Sequence, residues 1–164
     1  MVQNSEWGPH LWRILHTLAE RLGLSSGTAE LLKADEAREW FLVLRATERV
    51  MPCALCRKHY SAWRKTHPIE KFMHLREIFL KQEARKWLWE LHENVNSRRE
   101  ISSGIDLAKV ESIYKARTKE DFQQDIDILV KKLKEYMLQA NLIDPSAFRE
   151  WQSHLGMLRK LIGF

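Results

Sequence analysis

Cys53 and Cys56, the only two cysteines in this 164-residue chain, stand two residues apart in the run Met51-Pro52-Cys53-Ala54-Leu55-Cys56. Two thiols at that spacing can close into a small disulfide that accepts electrons rather than stapling a fold. Pro52, just ahead of the first thiol, suits a helix start, where its missing N–H would be unpaired anyway. A helix opening at Cys53 lays its positive end against the thiols and favours the thiolate form. Arg57, Lys58 and His59 push the same way. The pair is either a redox-active site or half of a metal site.

Three chemistries compete for it. Thioredoxin-like exchange expects the cysteines at a strand-to-helix turn. Zinc would take Cys53, Cys56 and His59, with His67 or His74 closing a tetrahedron. The third pairs the disulfide with a flavin, which needs a pocket between helices with aromatic walls, a few orienting polar groups and some positive charge. The chain holds such residues apart from one another: Trp7, Trp12 and His16 early, His92, Asn94 and Asn96 in the middle, then Arg98 and Arg99. It has no Gly-x-Gly-x-x-Gly and no Gly-Lys-Ser/Thr loop, so a nucleotide would not be held in the Rossmann or P-loop manner.

The elements that must position these groups are helical. Leu11, Trp12, Leu15, Leu18, Ala19 and Leu22 recur at three- and four-residue steps, which predicts a first helix from Trp7 to Leu22 ended by Gly23. A Ser/Gly linker, Leu24 to Thr28, leads to a second helix from about Ala29 to Val50, with Leu31, Ala37, Trp40, Phe41, Leu44 and Thr47 facing inward. The third starts at the cysteines, lines one side with Cys56, Tyr60 and Trp63, and stops near Thr66, because His67 precedes Pro68. The fourth carries Ile78, Phe79, Trp87, Leu88, Leu91, His92 and Val95 and ends near Asn96. A short fifth, Leu107 to Ala116, takes Asp106 as N-cap. Two further amphipathic stretches run through Phe122, Ile126, Leu129, Leu133, Tyr136 and Met137, and through Phe148, Trp151, Leu155, Leu158 and Ile162. No alternating strand pattern of useful length is present. The class is all-α, and thioredoxin-like exchange falls away.

Composition narrows the rest. A chain of this length with 45% apolar content supports one core and not two ordinary domains. The net charge of +5 is spread along the sequence, so nucleic-acid binding is not expected. No run is long and apolar enough for a membrane span, and no secretory signal opens the chain.

Four pieces in register carry a resemblance: Trp7-Gly8-x-x-x-Trp12-x-x-Leu15-His16-Thr17-x-Ala19, Pro52-Cys53-x-x-Cys56, His67-Pro68, and Trp87-Leu88-x-x-Leu91-His92-x-x-Val95-Asn96. Over about Glu6 to Arg117 the chain resembles the Erv/ALR family of FAD-dependent sulfhydryl oxidases. The opening Trp-Gly-Pro-x-x-Trp-Arg and the Ile113-Tyr114 pair look most like the short forms of large cytoplasmic DNA viruses.

The resemblance implies a four-helix bundle plus a short fifth helix, taken as residues 1–118; residues 119–164 lie beyond it and are expected to form a C-terminal helical extension packed on the bundle or at a dimer interface. It implies FAD bound noncovalently, usually in a homodimer. Cys56 would be the flavin-proximal thiol and Cys53 the thiol that exchanges with substrate. Gly8, Trp12 and His16 would lie along the isoalloxazine and ribityl part, His92, Val95 and Asn96 on the adenine side, and Tyr114 over the nucleotide. Arg99-Glu100-Ile101 stands where the family often has Leu-Gly-Lys, so Arg98 is the substitute contact for the pyrophosphate. Trp89 stands at a fourth-helix cysteine position, so packing must replace a staple whose removal from small domains costs about 2–5 kcal/mol. Electrons would pass from a partner protein's dithiol, a thioredoxin- or glutaredoxin-like carrier being one candidate, through the cysteine pair to FAD and then to O2, giving hydrogen peroxide. No resident metal is implied, and the expected compartment is a host cytoplasm or virion rather than the secretory route. The rival class is a zinc-stabilised helical interaction module.

Overall fold

Apolar residues at three- and four-residue steps set the helices, and mutual burial of those stripes sets their arrangement. The computed structural model describes residues 2–24 and 30–164, with α1 Asn4–Arg21, α2 Glu30–Val50, α3 Ala54–Thr66, a 3-10 turn Glu70–His74, α4 Glu77–Arg98, α5 Leu107–Lys115, α6 Lys119–Ala140 and α7 Pro145–Ile162. No strand occurs among the described residues, and the class is all-α as expected. The greater part of the Leu24 to Thr28 linker, and Ala29, lie outside the described residues.

Helix α1 is central. It packs on α4 and α5 at one side and lies along α6 at another. Helix α2 carries α3 and the 3-10 turn, and α7 lies along it. Ile14, Leu18, Trp40, Leu44, Trp87, Leu88, Phe122 and Trp151 all belong to one continuous core. The stripes of α6 and α7 are therefore buried in the same core as those of α1 to α4. The apolar side of α7, with Phe148, Trp151, Leu155 and Leu158, is occupied by α2 and is not free for a lipid surface.

Ion pairs tie these layers. Asp125 of α6, nearly fully buried, receives His10 Nδ1 at 2.7 Å and Arg13 Nη2 at 2.9 Å from α1, and also pairs with Arg117. Glu20, fully buried on α1, is held by Arg85 of α4 at 2.6 Å, and Arg85 also reaches Glu111 of α5 at 3.2 Å. Glu39 of α2 meets His154 of α7 at 2.8 Å.

Several boundaries and faces differ from the expectations. Helix α1 starts at Asn4 rather than Trp7, because the Gln3 carbonyl already accepts the Glu6 amide at 2.9 Å. Leu31 is 73% exposed and Phe79 66% exposed, with Ile78 also at the surface. The first turns of α2 and α4 overrun the core, and the Lys33–Glu77 ion pair joins them instead. Glu77 itself has φ +53, and Gly23 lies so close beneath it that an added Cβ would sit 2.5 Å from the Glu77 carbonyl oxygen. Asp106 holds the N-cap position of α5, but its side chain makes no capping hydrogen bond.

Candidate functional site

The two cysteines form a disulfide across the N-terminus of α3, with Cα atoms 5.2 Å apart. Helix α3 begins one residue later than the spacing suggested, at Ala54, so Cys53 is the N-cap and Pro52 precedes the cap rather than opening the helix. The Cys53 sulfur accepts the Cys56 amide at 3.2 Å, in the manner of a capping oxygen. The positive end of the helix therefore bears on that sulfur. The buried Met51 and Pro52 fix the approach, and the Arg57 guanidinium donates to the Met51 carbonyl. From the other side, Asn4 Nδ2 of α1 donates to Cys56 Sγ at 3.5 Å. Both sulfurs are half-buried, while Ala54 and Leu55 between them face solvent.

Asn4, Gly8, Trp12 and His16 follow at four-residue steps on one side of α1. At 1.5 Å per residue the strip is about 18 Å long, and it leads from the disulfide inward. Above Gly8 the space is open, since a Cβ built there would meet no atom within 4 Å. Further along, Trp12 stacks face to face on His92 of α4 with centroids 4.0 Å apart, and His16 stacks on Tyr114 of α5 at 4.4 Å. His16 Nε2 and His92 Nδ1 are 3.4 Å apart. The other ring nitrogen of His16, Nδ1, is buried without a partner. Burial, with the neighbouring His92, holds the His16 ring neutral and its pKa at about 3, and burial also lowers that of His92.

A narrow recess, with only about 10 Å³ open to a water-sized sphere, lies beside this aromatic group, walled by His16, His92, Tyr114, Trp89 and Val110. Its rim is the connection between α4 and α5, held by the Trp89 indole donating to the Ile105 carbonyl at 2.9 Å and by Ser103 donating to Glu93. Asn96 is buried at the end of α4, where its carbonyl accepts the amides of Arg99 and Ile101, both at 3.0 Å. Val95 is half-buried against the core. Arg98 is exposed and donates to Asn94 at 3.3 Å. The cations whose charge reaches the Tyr114 hydroxyl are Arg117 and Arg13, which the sequence reading did not select.

Most of the sequence-selected residues thus fall into two groups joined by α1, while Val95, Asn96 and Arg98 lie further along α4. Cys53 and Cys56 lie at one end of the strip, Trp12, His16, His92 and Tyr114 at the other, with Gly8 between them. Asn4 was missed, although its position four residues before Gly8 continues the same spacing. The zinc set is not assembled: the sulfurs are bonded to each other, His67 stacks on Trp63 at 3.5 Å, and no group of three or more His, Cys, Asp or Glu among the described residues is arranged around a metal position.

A family model described as Erv1 / Alr family matches residues 9–124, from the second turn of α1 into the start of α6, so Asn4 and Gly8 precede the matched stretch. Comparison with curated proteins and with solved structures yields no match.

Proposed function

The chain belongs to the Erv1 / Alr family, and from that premise we propose that it is a flavin-linked thiol oxidase that makes disulfides in protein substrates. The observation that carries the reading is the strip on α1. One side of a single helix connects a half-exposed disulfide to a buried aromatic group, and a flavin dinucleotide is a ligand long and flat enough to lie along it. Three features fit that ligand: open space above Gly8, an unpartnered buried His16 Nδ1, and aromatic faces at Trp12, His92, His16 and Tyr114. The Trp12–His92 and His16–Tyr114 stacks are too close to admit another ring between members, so a bound ring lies against a stack.

The residues that would hold the group are Gly8, Trp12 and His16 on α1, His92, Val95 and Asn96 on α4, and Tyr114 on α5, with Arg98 at the phosphates. When bound, FAD supplies a two-electron acceptor that O2 restores, with hydrogen peroxide as product.

The chain's own part is thiol–disulfide exchange. A substrate thiolate attacks Cys53 Sγ, the Cys53–Cys56 bond breaks, and the electron pair leaves on Cys56 Sγ, where the Asn4 amide is placed to donate to it. The substrate's second thiol, losing its proton, attacks its own sulfur of the mixed disulfide and releases Cys53 as a thiolate, which the α3 amides favour. The substrate departs with a disulfide, and Cys53 and Cys56 hold its two electrons. The neutral His16 and the buried aromatic walls keep water from the inner end of the strip.

Further details belong to the same reading. The partner is a dithiol protein, for which a thioredoxin- or glutaredoxin-like carrier is the model. An enzyme resembling the short viral forms would act in a host cytoplasm or virion, and no helix among the described residues is long and apolar enough to cross a membrane. A homodimer would have to form away from the faces of α1 and α2 that α6 and α7 cover. The test is direct: purified protein should show oxidised-flavin absorption, consume O2 with dithiothreitol and release peroxide. Colourless protein with stoichiometric zinc and no turnover would refute it.

A further inference from the structure

From Met51 to Ile69 the chain has no Asp or Glu, yet it carries Arg57, Lys58, Arg64 and Lys65. Helix α3 occupies most of that stretch, and the disulfide sits at its tip. Arg64 is neutralised by Glu48 at 2.7 Å, whereas Lys58 and Lys65 are exposed and make no ion pair among the described residues. Their positions are seven apart, two helical turns, so they lie on one side of α3. Ala54, Leu55 and Ala62 share that side, and Leu55 is 59% exposed directly beside the sulfurs. The inner side, with Cys56, Tyr60 and Trp63, is turned to the core.

The outer surface of α3 is therefore a weakly apolar band with two free positive charges, beginning at the reactive bond and running about 18 Å from it. Glu70, past the end of the helix, and Glu48, already paired with Arg64, are the acidic groups near Lys65. A lysine within a turn of Cys56 stands inside the ~8 Å screening length of physiological salt, so it acts on whatever approaches Cys53.

We infer that this band is the docking surface for the substrate protein, and that the substrate carries Asp or Glu beside its cysteine pair. The inference rests on the thiol-oxidase reading and names the substrate class that reading leaves open. An acidic flank lies along Lys58 and Lys65 while an apolar side chain covers Leu55, which brings the substrate thiolate to Cys53. Charge at the edge of such a contact acts mainly on association rate and partner choice.

The test uses two synthetic peptides with the same Cys-x-x-Cys core, one flanked by Asp and Glu and the other by Lys, with dithiothreitol as the uncharged dithiol. The readout is the ratio of kcat/KM for the acidic peptide to that for the basic one, taken within each protein so that changes in the chemistry cancel. The expected ratio for the wild type is about tenfold at low salt, falling as salt rises. In the Lys58→Glu, Lys65→Glu double variant it should drop below one. A wild-type ratio near one, or a preference the double variant retains, would overturn the inference. Protein that carries out no oxidation of dithiothreitol would overturn the oxidase reading instead.

Discussion

Asn4 Nδ2 lies 3.5 Å from Cys56 Sγ, so the first turn of α1 touches the disulfide that the first turn of α3 presents. The contact joins residues 52 positions apart and gives Cys56, the sulfur proposed to depart in exchange, a hydrogen-bond donor of its own. Removing that donor should slow the exchange without disturbing the fold, because Asn4 is exposed. Asn4→Ala should lower kcat with dithiothreitol by about 3- to 10-fold, in the range of an ordinary intramolecular hydrogen bond. Asn4→Asp, which sets a carboxylate against the leaving sulfur, should cost more. Stopped-flow measurement of the first reduction step checks both.

Cys56→Ser should keep helical content and flavin absorption yet abolish dithiol oxidation, since Cys53 alone offers a substrate thiolate no disulfide to attack. O2 consumption with dithiothreitol, together with a count of free thiols on the variant, checks it. Retained turnover would remove the pair from the mechanism.

Gly8 offers a way to separate fold from ligand. Its Cβ position is open, and replacing a helical glycine with a better helix former contributes up to about 1 kcal/mol. Gly8→Leu should leave thermal stability of flavin-free protein unchanged or raised, while its side chain fills the space over α1 and flavin content falls severalfold. Gly23→Ala is the contrasting case. Its φ of +76 and the 2.5 Å approach to the Glu77 backbone leave no room for a methyl, so it should destabilise the fold by more than about 1 kcal/mol.

His16 gives a pH dependence of defined sign. Its folded pKa of about 3 lies below the ordinary value of 6.5, so the unfolded chain binds a proton that the folded protein refuses. Stability is full above about pH 6.5 and declines as pH falls from there toward 3, with His92 acting in the same direction. Asp125, Asp121, Asp144 and Glu111, whose pKa values are lowered, add their own loss, but only below the ordinary carboxylate range. Between pH 6.5 and about 4.5 the slope therefore belongs largely to the histidines. His16→Gln should flatten the dependence of Tm on pH in that window.

Asp125 should matter to the packing of α6 on α1. Asp125→Ala leaves Arg13 and Arg117 without their common anion and His10 without its hydrogen-bond partner, and a loss of about 2–3 kcal/mol is expected because the groups left behind remain partly solvated. Denaturant unfolding checks the value. The reverse pair, Asp125→Ala with Arg13→Leu, should recover part of it.

The helices were readable because apolar stripes at three- and four-residue steps are what a buried helix face requires. Trp12 and His16, and His92 with Val95, could be picked out because their spacing puts them on shared faces. Asn4 was not, since a polar first turn has no periodicity and the apolar pattern of α1 begins only at Trp7. Ser103 and Ile105 lie in a connection without regular spacing. Asp125 meets His10 across 115 residues, and no local pattern announces such a pairing. Leu31, Ile78 and Phe79 fit the stripes of their helices, but periodicity cannot tell that a helix extends one turn beyond what it packs against.

Trp12 makes the strip observable by light. Its indole stands between the open space at Gly8 and the His92 ring, whereas Trp40 and Trp151 are sealed within the core along α2 and α7. A yellow chromophore settling on α1 would drain Trp12 emission first, so intrinsic fluorescence, with a Trp12→Phe variant as reference, can titrate loading of the protein without any assay of turnover.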